Sequence, residues 1–237
     1  MQDFGDAFGL AFGLVLNPSA DLIEIVGLSL RVSLSACLLA CLIGLPLGAL
    51  LAITRFPGRG AALVVVNALM GLPPVVVGLL VYLALSRAGP LGFLGLLYTP
   101  TAMIVAQTIL IAPIVAALSR QVLETLHDEY AEQFRSLCLT RWQIMQALLW
   151  DGRMALITVA LAGFGRAVAE VGAVMIVGGN IDHLTRVMTT AIALETSKGE
   201  LALALALGLV LMIIALGVNA LVQGLRMRGA AQEVAHA

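Results

Sequence analysis

The chain has 237 residues, of which 61% are hydrophobic and only 11% charged, and its mean hydropathy is +1.04. That composition lies far outside the soluble globular range and marks an integral membrane protein. A formal net charge of −1 singles out no charged partner, so no nucleic acid is expected; Cys37, Cys41 and Cys138 show no Cys-x-x-Cys spacing, which points to neither a metal site nor a disulfide framework.

Repeated apolar runs of roughly 20 residues, each able to cross about 30 Å of hydrocarbon, predict an all-α polytopic transmembrane helical bundle and not a β-barrel. Residues 1–6 carry Asp3 and Asp6 but no Lys or Arg, so the basic region of a secretory signal is missing. Residues 4–16 are expected as a short interfacial apolar segment outside the cytoplasm, ended by Asn17-Pro18, with a full first span as the alternative. The count is therefore about five main spans, or six.

The first clear span covers residues 22–53, followed by a turn at Phe56-Pro57-Gly58-Arg59-Gly60. The next, residues 61–85, contains Pro73 and Pro74, which remove two backbone donors and predict a kink or unwinding in mid-membrane. A Gly- and Pro-rich loop at 86–100 leads into a third span, 101–118. Residues 154–177 and 201–221 form the fourth and fifth. Eight basic residues fall on one side, namely Arg55, Arg59, Arg120, Arg135, Arg141, Arg153, Arg226 and Arg228; Arg87, Arg186 and Lys198 fall on the other, and Arg31 and Arg166 lie within spans. By the positive-inside rule the N-terminus is outside and the C-terminus cytoplasmic. One transmembrane domain, 1–237, is expected to cover the chain.

Residues 119–153 are a charged island in this apolar sequence. Val122, Leu126, Tyr130, Phe134 and Leu137 recur at helical spacing, while Glu124, Asp128, Glu129, Glu132 and Arg135 fall largely on other faces. This predicts an amphipathic helix outside the bilayer. Thr140, followed three residues later by Gln143, matches the capping-box pattern and predicts a second helix carrying Trp142, Ile144 and Met145 toward the next span. Helix, tight turn near Cys138 and helix would form a rigid cytoplasmic knob.

Arg166 and Glu170 stand four apart in the fourth span and are expected to share a helix face and pair. Each charge costs roughly 2.5 to 3.5 kcal/mol at the centre of a membrane helix, so a polar pathway or protein interface is their natural place. Gly165, Ala169 and Ala173 repeat at the same spacing and predict a small face for close helix approach. Past the span, Gly178, Gly179, Asn180, Thr185, Arg186, Thr189 and Thr190 supply a flexible backbone, an amide, a guanidinium and three hydroxyls, an inventory that suits a small oxyanion.

The island resembles the docking loop of ABC importer permeases, whose signature is Glu-Ala-Ala, three residues, Gly, nine residues, Ile, one residue, Leu-Pro. Glu132 takes the Glu position, Gln133 and Phe134 replace the alanines, Cys138 replaces the Gly, and Leu148, Trp150 and Asp151 stand for Ile, Leu and Pro. Arg135-Ser136-Leu137 and Thr140-Arg141-Trp142-Gln143-Ile144 are similar to ordinary family residues. The run from Gly163 to Ile181, its continuation from Thr185 to Thr196, and Gly71-Leu72-Pro73-Pro74-Val75-Val76-Val77-Gly78-Leu79 resemble the permeases of tungstate-type importers.

The resemblance implies a type I ABC importer permease that moves an oxyanion, tungstate first, with molybdate or sulfate as alternatives. It further implies a homodimer in the inner membrane, cytoplasmic ATPase subunits and an extracytoplasmic oxyanion-binding protein. Glu132, Phe134, Arg135, Leu137, Cys138, Thr140, Arg141 and Trp142 would then couple to the ATPase. Arg166, Glu170, Asn180, Thr185, Arg186, Thr189 and Thr190 would form gate and path. The chain has no Gly-x-x-x-x-Gly-Lys-Ser/Thr loop, so no cofactor is expected on it, and ATP and Mg would be used by the partner subunit. A passive channel or an intramembrane enzyme are the rivals. The enzyme is disfavoured because His127, His183 and His236 all fall outside the expected spans and no His-Glu-x-x-His motif is present, so no catalytic residue is assigned.

Overall fold

The computed structural model describes residues 4–17 and 19–235, with side chains described for 8–9, 11–17 and 19–224. Asp3, Asp6, Arg226, Arg228 and His236 lie outside the described side chains.

Every regular element among the described residues is helical. In chain order these are α1 (Phe4–Leu16), α2 (Ala20–Ile53), α3 (Arg59–Met70), α4 (Pro74–Leu85), a 3₁₀ turn at Gly92–Leu94, α5 (Pro100–Glu129), α6 (Ala131–Ser136), α7 (Arg141–Asp151), α8 (Arg153–Val168), α9 (Gly172–Gly178), α10 (Met188–Lys198) and α11 (Leu201–Ala235). Three are long and apolar enough to cross a membrane alone, Ala20–Ile53, Pro100–Glu129 and Leu201–Gly224; the pairs α3 with α4 and α7 with α8 bring the number to five if each counts as one span. At 13 residues α1 reaches only about 20 Å, too short to cross.

Three expectations change. Residues 122–137 are not one separate amphipathic helix, because α5 continues unbroken from Pro100 to Glu129 and meets no Gly or Pro in Ser119–Glu129 to stop it. The fourth span is not continuous from 154 to 177, because α8 stops at Val168 and α9 starts at Gly172. Residues 188–198 form α10, so Thr189 and Thr190 lie on a helix and not on the flexible backbone expected past the fourth span. Around Pro73 and Pro74 the chain leaves the helix at Gly71, whose N–H bonds to Ala68 O, and re-enters with Pro73 as the extended N-cap residue and Pro74 at the first helical position, where a missing N–H costs nothing.

The chain divides into two compact units, residues 1–35, 73–107 and 167–221, and residues 36–72, 108–166 and 222–237. In the first, Leu22, Met188, Ala191 and Leu207 form a core joining α2, α10 and α11. There α4 and α9 touch backbone to backbone: a Cβ on Gly78 would stand 2.7 Å from the Ala173 Cα, so only glycine permits that approach. In the second unit α2 and α5 meet through Gly48, where a Cβ would come 2.0 Å from Ser119 Oγ and 2.7 Å from Ala116 O. Gly44 and Gly48 make the small-xxx-small seam by which membrane helices approach closely, with Val115 and Ala116 buried against it.

Candidate functional site

The island becomes a compact helix-turn-helix in the second unit. Helix α6 ends in a Schellman motif: Cys138 N–H bonds to Arg135 O at 3.2 Å, Leu139 N–H to Phe134 O at 3.2 Å, and Cys138 has φ +48°. Cys138 therefore holds the left-handed conformation that glycine usually supplies. Thr140 then caps α7, with Gln143 N–H to Thr140 Oγ1 at 3.4 Å and Thr140 N–H to Gln143 Oε1 at 2.9 Å. The two caps leave the turn between α6 and α7 little freedom.

Glu132, Arg135, Cys138, Thr140 and Arg141 are exposed on this element, and Leu137 and Trp142 are 67% and 63% exposed. The structure thus gathers these candidates on one protrusion, with two large apolar side chains in the open. Phe134 differs, being half-buried against the rings of Tyr130, at 5.9 Å, and His127, at 6.1 Å. It braces the element from inside.

Three contacts of the element were not anticipated. Glu124 accepts from Arg59 Nη2 at 2.6 Å and from Arg120 Nη1, anchoring the root of the element to the start of α3. The i,i+4 spacing of Arg120 and Glu124 was the sequence signal for half of this bridge. Tyr130 hydrogen-bonds the Asp151 carboxylate, which together with that negative charge holds the phenol above its ordinary pKa. Arg153 lies 5.0 Å over the exposed Trp150 ring. At Gly152, between α7 and α8, the chain bends by 74°, and a Cβ there would press on Leu126 and Leu123, so the bend is packed against α5.

In the first unit the candidates after α8 surround a helix break. Glu170 is buried, its Oε1 accepts the Ala173 N–H at 3.0 Å, and its backbone carbonyl accepts the Thr189 hydroxyl at 2.8 Å. A carboxylate at this place satisfies a free N–H of α9 and favours starting a new helix over continuing α8. Arg166 stays in the last turn of α8. Glu170 therefore lies beyond the end of the helix that carries Arg166. Gly165, Ala169 and Ala173 do not form one small face: a Cβ on Gly165 would meet open space, Ala169 is exposed, and Ala173 packs on Gly78.

The hydroxyls expected to face an anion are spent locally. Thr185 Oγ1 donates to Gly178 O at 2.6 Å and accepts Ile181 N–H at 2.9 Å, and Thr190 Oγ1 accepts Val187 N–H at 3.1 Å at the start of α10. Asn180, at φ +49°, keeps a buried Oδ1 with no hydrogen-bond partner among the described residues. Arg186 Nη1 pairs with Asp182 Oδ1 at 2.6 Å. The guanidinium lines a 110 Å³ cavity that also holds Asp21, Glu24, Asp182 and Glu195, so the local field there opposes a dianion. His183 reaches Glu24 Oε2 at 2.9 Å on the same cavity, and this hydrogen bond raises its pKa above the usual imidazole value. What the segment offers is a braced, irregular backbone at a helix break.

The chain is 40% identical over 212 residues, 87% of its length and 90% of the relative's, to a protein of Haloferax volcanii named as a probable anion ABC transporter permease. It is 38% identical to the tungstate uptake system permease protein of Peptoclostridium acidaminophilum, covering 95% of this chain and 99% of that one. A tungstate uptake system permease protein of Campylobacter jejuni is 43% identical over 65% of each chain. Residues 44–228, which hold both the helix-turn-helix of 131–151 and the α8–α9 break, match the family described as binding-protein-dependent transport system inner membrane component. The chain belongs to that family of membrane permeases.

Proposed function

We propose that this chain is the permease subunit of an ATP-driven importer of a tetrahedral oxyanion, tungstate before molybdate or sulfate, and that two copies work together in the inner membrane. The observation that carries the reading is the doubly capped helix-turn-helix of residues 131–151, which holds Leu137 and Trp142 in the open on a stiff support. Similarity to two tungstate uptake permeases supports the cargo. The N-terminus is outside and the C-terminus cytoplasmic, and residues 119–153 serve as the coupling loop of a single permease domain.

In this mechanism a separate cytoplasmic subunit binds ATP with Mg and hydrolyses it. Closure of that subunit pushes on Leu137, Trp142, Glu132, Arg135 and Arg141. The push reaches α8 through the bend at Gly152, which is wedged against Leu123 and Leu126 and so transmits displacement instead of absorbing it. Rigid-body rocking then exposes the path to one side at a time. ATP drives the change only to the extent that it binds the closed motor more tightly than the open one. The breaks at Pro73 and at Ala169–Val171 form the gate, with Glu170, Asn180 and Thr189 on it, while Thr185, Arg186 and Thr190 brace the segment that carries it.

An extracytoplasmic binding protein delivers the anion and makes the choice among dianions of like charge and shape. Reconstitution with the ATPase subunit and that binding protein in vesicles tests the reading. ATP-dependent tungstate uptake, competed by molybdate, is expected. Uptake that proceeds without the ATPase subunit would establish a passive channel instead.

A further inference from the structure

We propose that Arg31, on the open face of α2, is an oxyanion-binding residue of the transporter. The assignment rests on the importer reading and gives a role to a charge that the coupling element and the gate leave unused.

The orientation of α2 is fixed on its other side. Ser29, Val32 and Ser33 are buried, and Ser29 Oγ accepts the Met188 N–H at 2.6 Å. At about 100° per residue, Arg31 lies roughly 150° around the helix from that buried group. It is exposed together with Gly27 and Leu34, and a Cβ on Gly27 would meet no atom within 4 Å, so the space beside the guanidinium is open. Among the described residues Arg31 makes no hydrogen bond and no ion pair.

Arg31 also stands about 16 Å along the axis from the start of α2 at Ala20, past the carboxylates of Asp21 and Glu24, where the uncharged run of residues 32–53 begins. A guanidinium at the boundary of that run is not left in hydrocarbon, so it meets water, a polar partner or a phosphate. The other cations of the same unit are differently placed. Arg186 is neutralised by Asp182 among carboxylates, Lys198 pairs with Glu195 at 2.9 Å, and Arg87 is exposed in the loop after α4. Arg31 thus keeps all its N–H donors for a ligand, and a planar guanidinium matches two oxygens of a tetrahedral oxyanion where an ammonium gives only a point charge.

Two sources offer that chemistry: the transported dianion and the phosphate of a lipid headgroup. The assembled transporter, with ATPase subunit and binding protein, would be reconstituted as wild type, Arg31→Lys and Arg31→Gln in phosphatidylcholine vesicles and in vesicles containing phosphatidylglycerol. Radiolabelled tungstate uptake, retained phosphatidylglycerol, and co-purification of the ATPase subunit and of a second, differently tagged copy would be measured. For cargo contact, Arg31→Gln lowers uptake by about tenfold or more in both lipids, the loss expected for a charge-assisted hydrogen bond, with partial recovery in Arg31→Lys. For lipid contact, Arg31→Gln loses bound phosphatidylglycerol and the uptake difference disappears in phosphatidylcholine.

Either result supports an oxyanion site and says which oxyanion fills it. Wild-type uptake together with wild-type lipid retention in Arg31→Gln would overturn the assignment alone. So would loss of the second copy or of the ATPase subunit, which would make Arg31 an assembly contact. Absence of uptake by the wild-type complex would instead overturn the importer reading from which the assignment starts.

Discussion

The hydroxyl of Thr189, at the start of α10, donates a 2.8 Å hydrogen bond to the backbone carbonyl of Glu170, in the gap between α8 and α9. Both groups are buried, so the bond ties the break to a helix that follows it by ten or more residues and leaves that carbonyl satisfied in an apolar surrounding.

Removing this bond while keeping the side-chain shape tests its weight. Thr189→Val should destabilise the protein by about 1 to 3 kcal/mol, the cost of a buried carbonyl without a partner, and Thr189→Ser should recover most of it. Thermal unfolding in detergent measures the effect. Equal stability of Thr189→Val and wild type would show that the break holds itself without α10.

The turn between α6 and α7 has its own signature. At φ +48° a side chain is strained by about 1 kcal/mol, so Cys138→Gly should stabilise the element slightly and Cys138→Val, which adds a branch at Cβ, should weaken it. Thr140→Ala should cost about 1 kcal/mol by uncapping α7. Limited proteolysis across residues 136–142 ranks the variants, with Cys138→Gly the most resistant; faster cleavage of Cys138→Gly than of Cys138→Val would contradict the Schellman geometry.

Exposed and internal apolar residues of the element should behave differently. Leu137→Asp and Trp142→Ala place the change on the surface and are expected to weaken ATPase co-purification by about 2 kcal/mol or more with an unchanged melting temperature. Phe134→Asp breaks the packing on Tyr130 and His127 and should lower the melting temperature as well. Were Leu137→Asp and Trp142→Ala to keep full co-purification, the motor would dock elsewhere.

The contact between His183 and Glu24 predicts a pH dependence. Glu24 accepts a hydrogen bond from the imidazole, and Asp182 and Asp21 add negative charge, so the folded-state pKa lies above the ordinary value of 6.5. Stabilisation from a raised pKa is fully present below the unfolded value and is lost as pH rises through the folded one. Amide exchange in residues 181–187, corrected for its intrinsic pH dependence, should therefore quicken as pH is raised above about 6.5. His183→Gln should abolish the step; its survival in that variant would assign the titration to another group.

Much of the architecture was legible before the fold. Hydropathy placed the long helices α2, α5 and α11 because a bilayer requires long apolar runs whatever their neighbours are. Thr140 with Gln143, and Pro73 with Pro74, act through backbone groups within a few residues of themselves, so their effect can be read from spacing alone. The turn at Cys138 was also legible, although not that a cysteine would take the left-handed conformation.

Other features depended on groups far apart in sequence. The pattern of Arg166 and Glu170 is compatible with one helix, but the buried Glu170 carboxylate bonds the Ala173 N–H, α10 reaches back through Thr189, and the helix ends. Arg186 reads as an anion ligand until Asp21, Glu24 and Glu195 are brought around it by other helices. Phe134 reads as a docking anchor until Tyr130 and His127 cover it. Apolar length and local capping are properties of a short stretch of chain, and the sequence by itself determined them; which charge is neutralised, which ring is covered and which glycine admits a neighbouring helix depend on distances of a few ångströms between remote segments, and only the tertiary structure decided those.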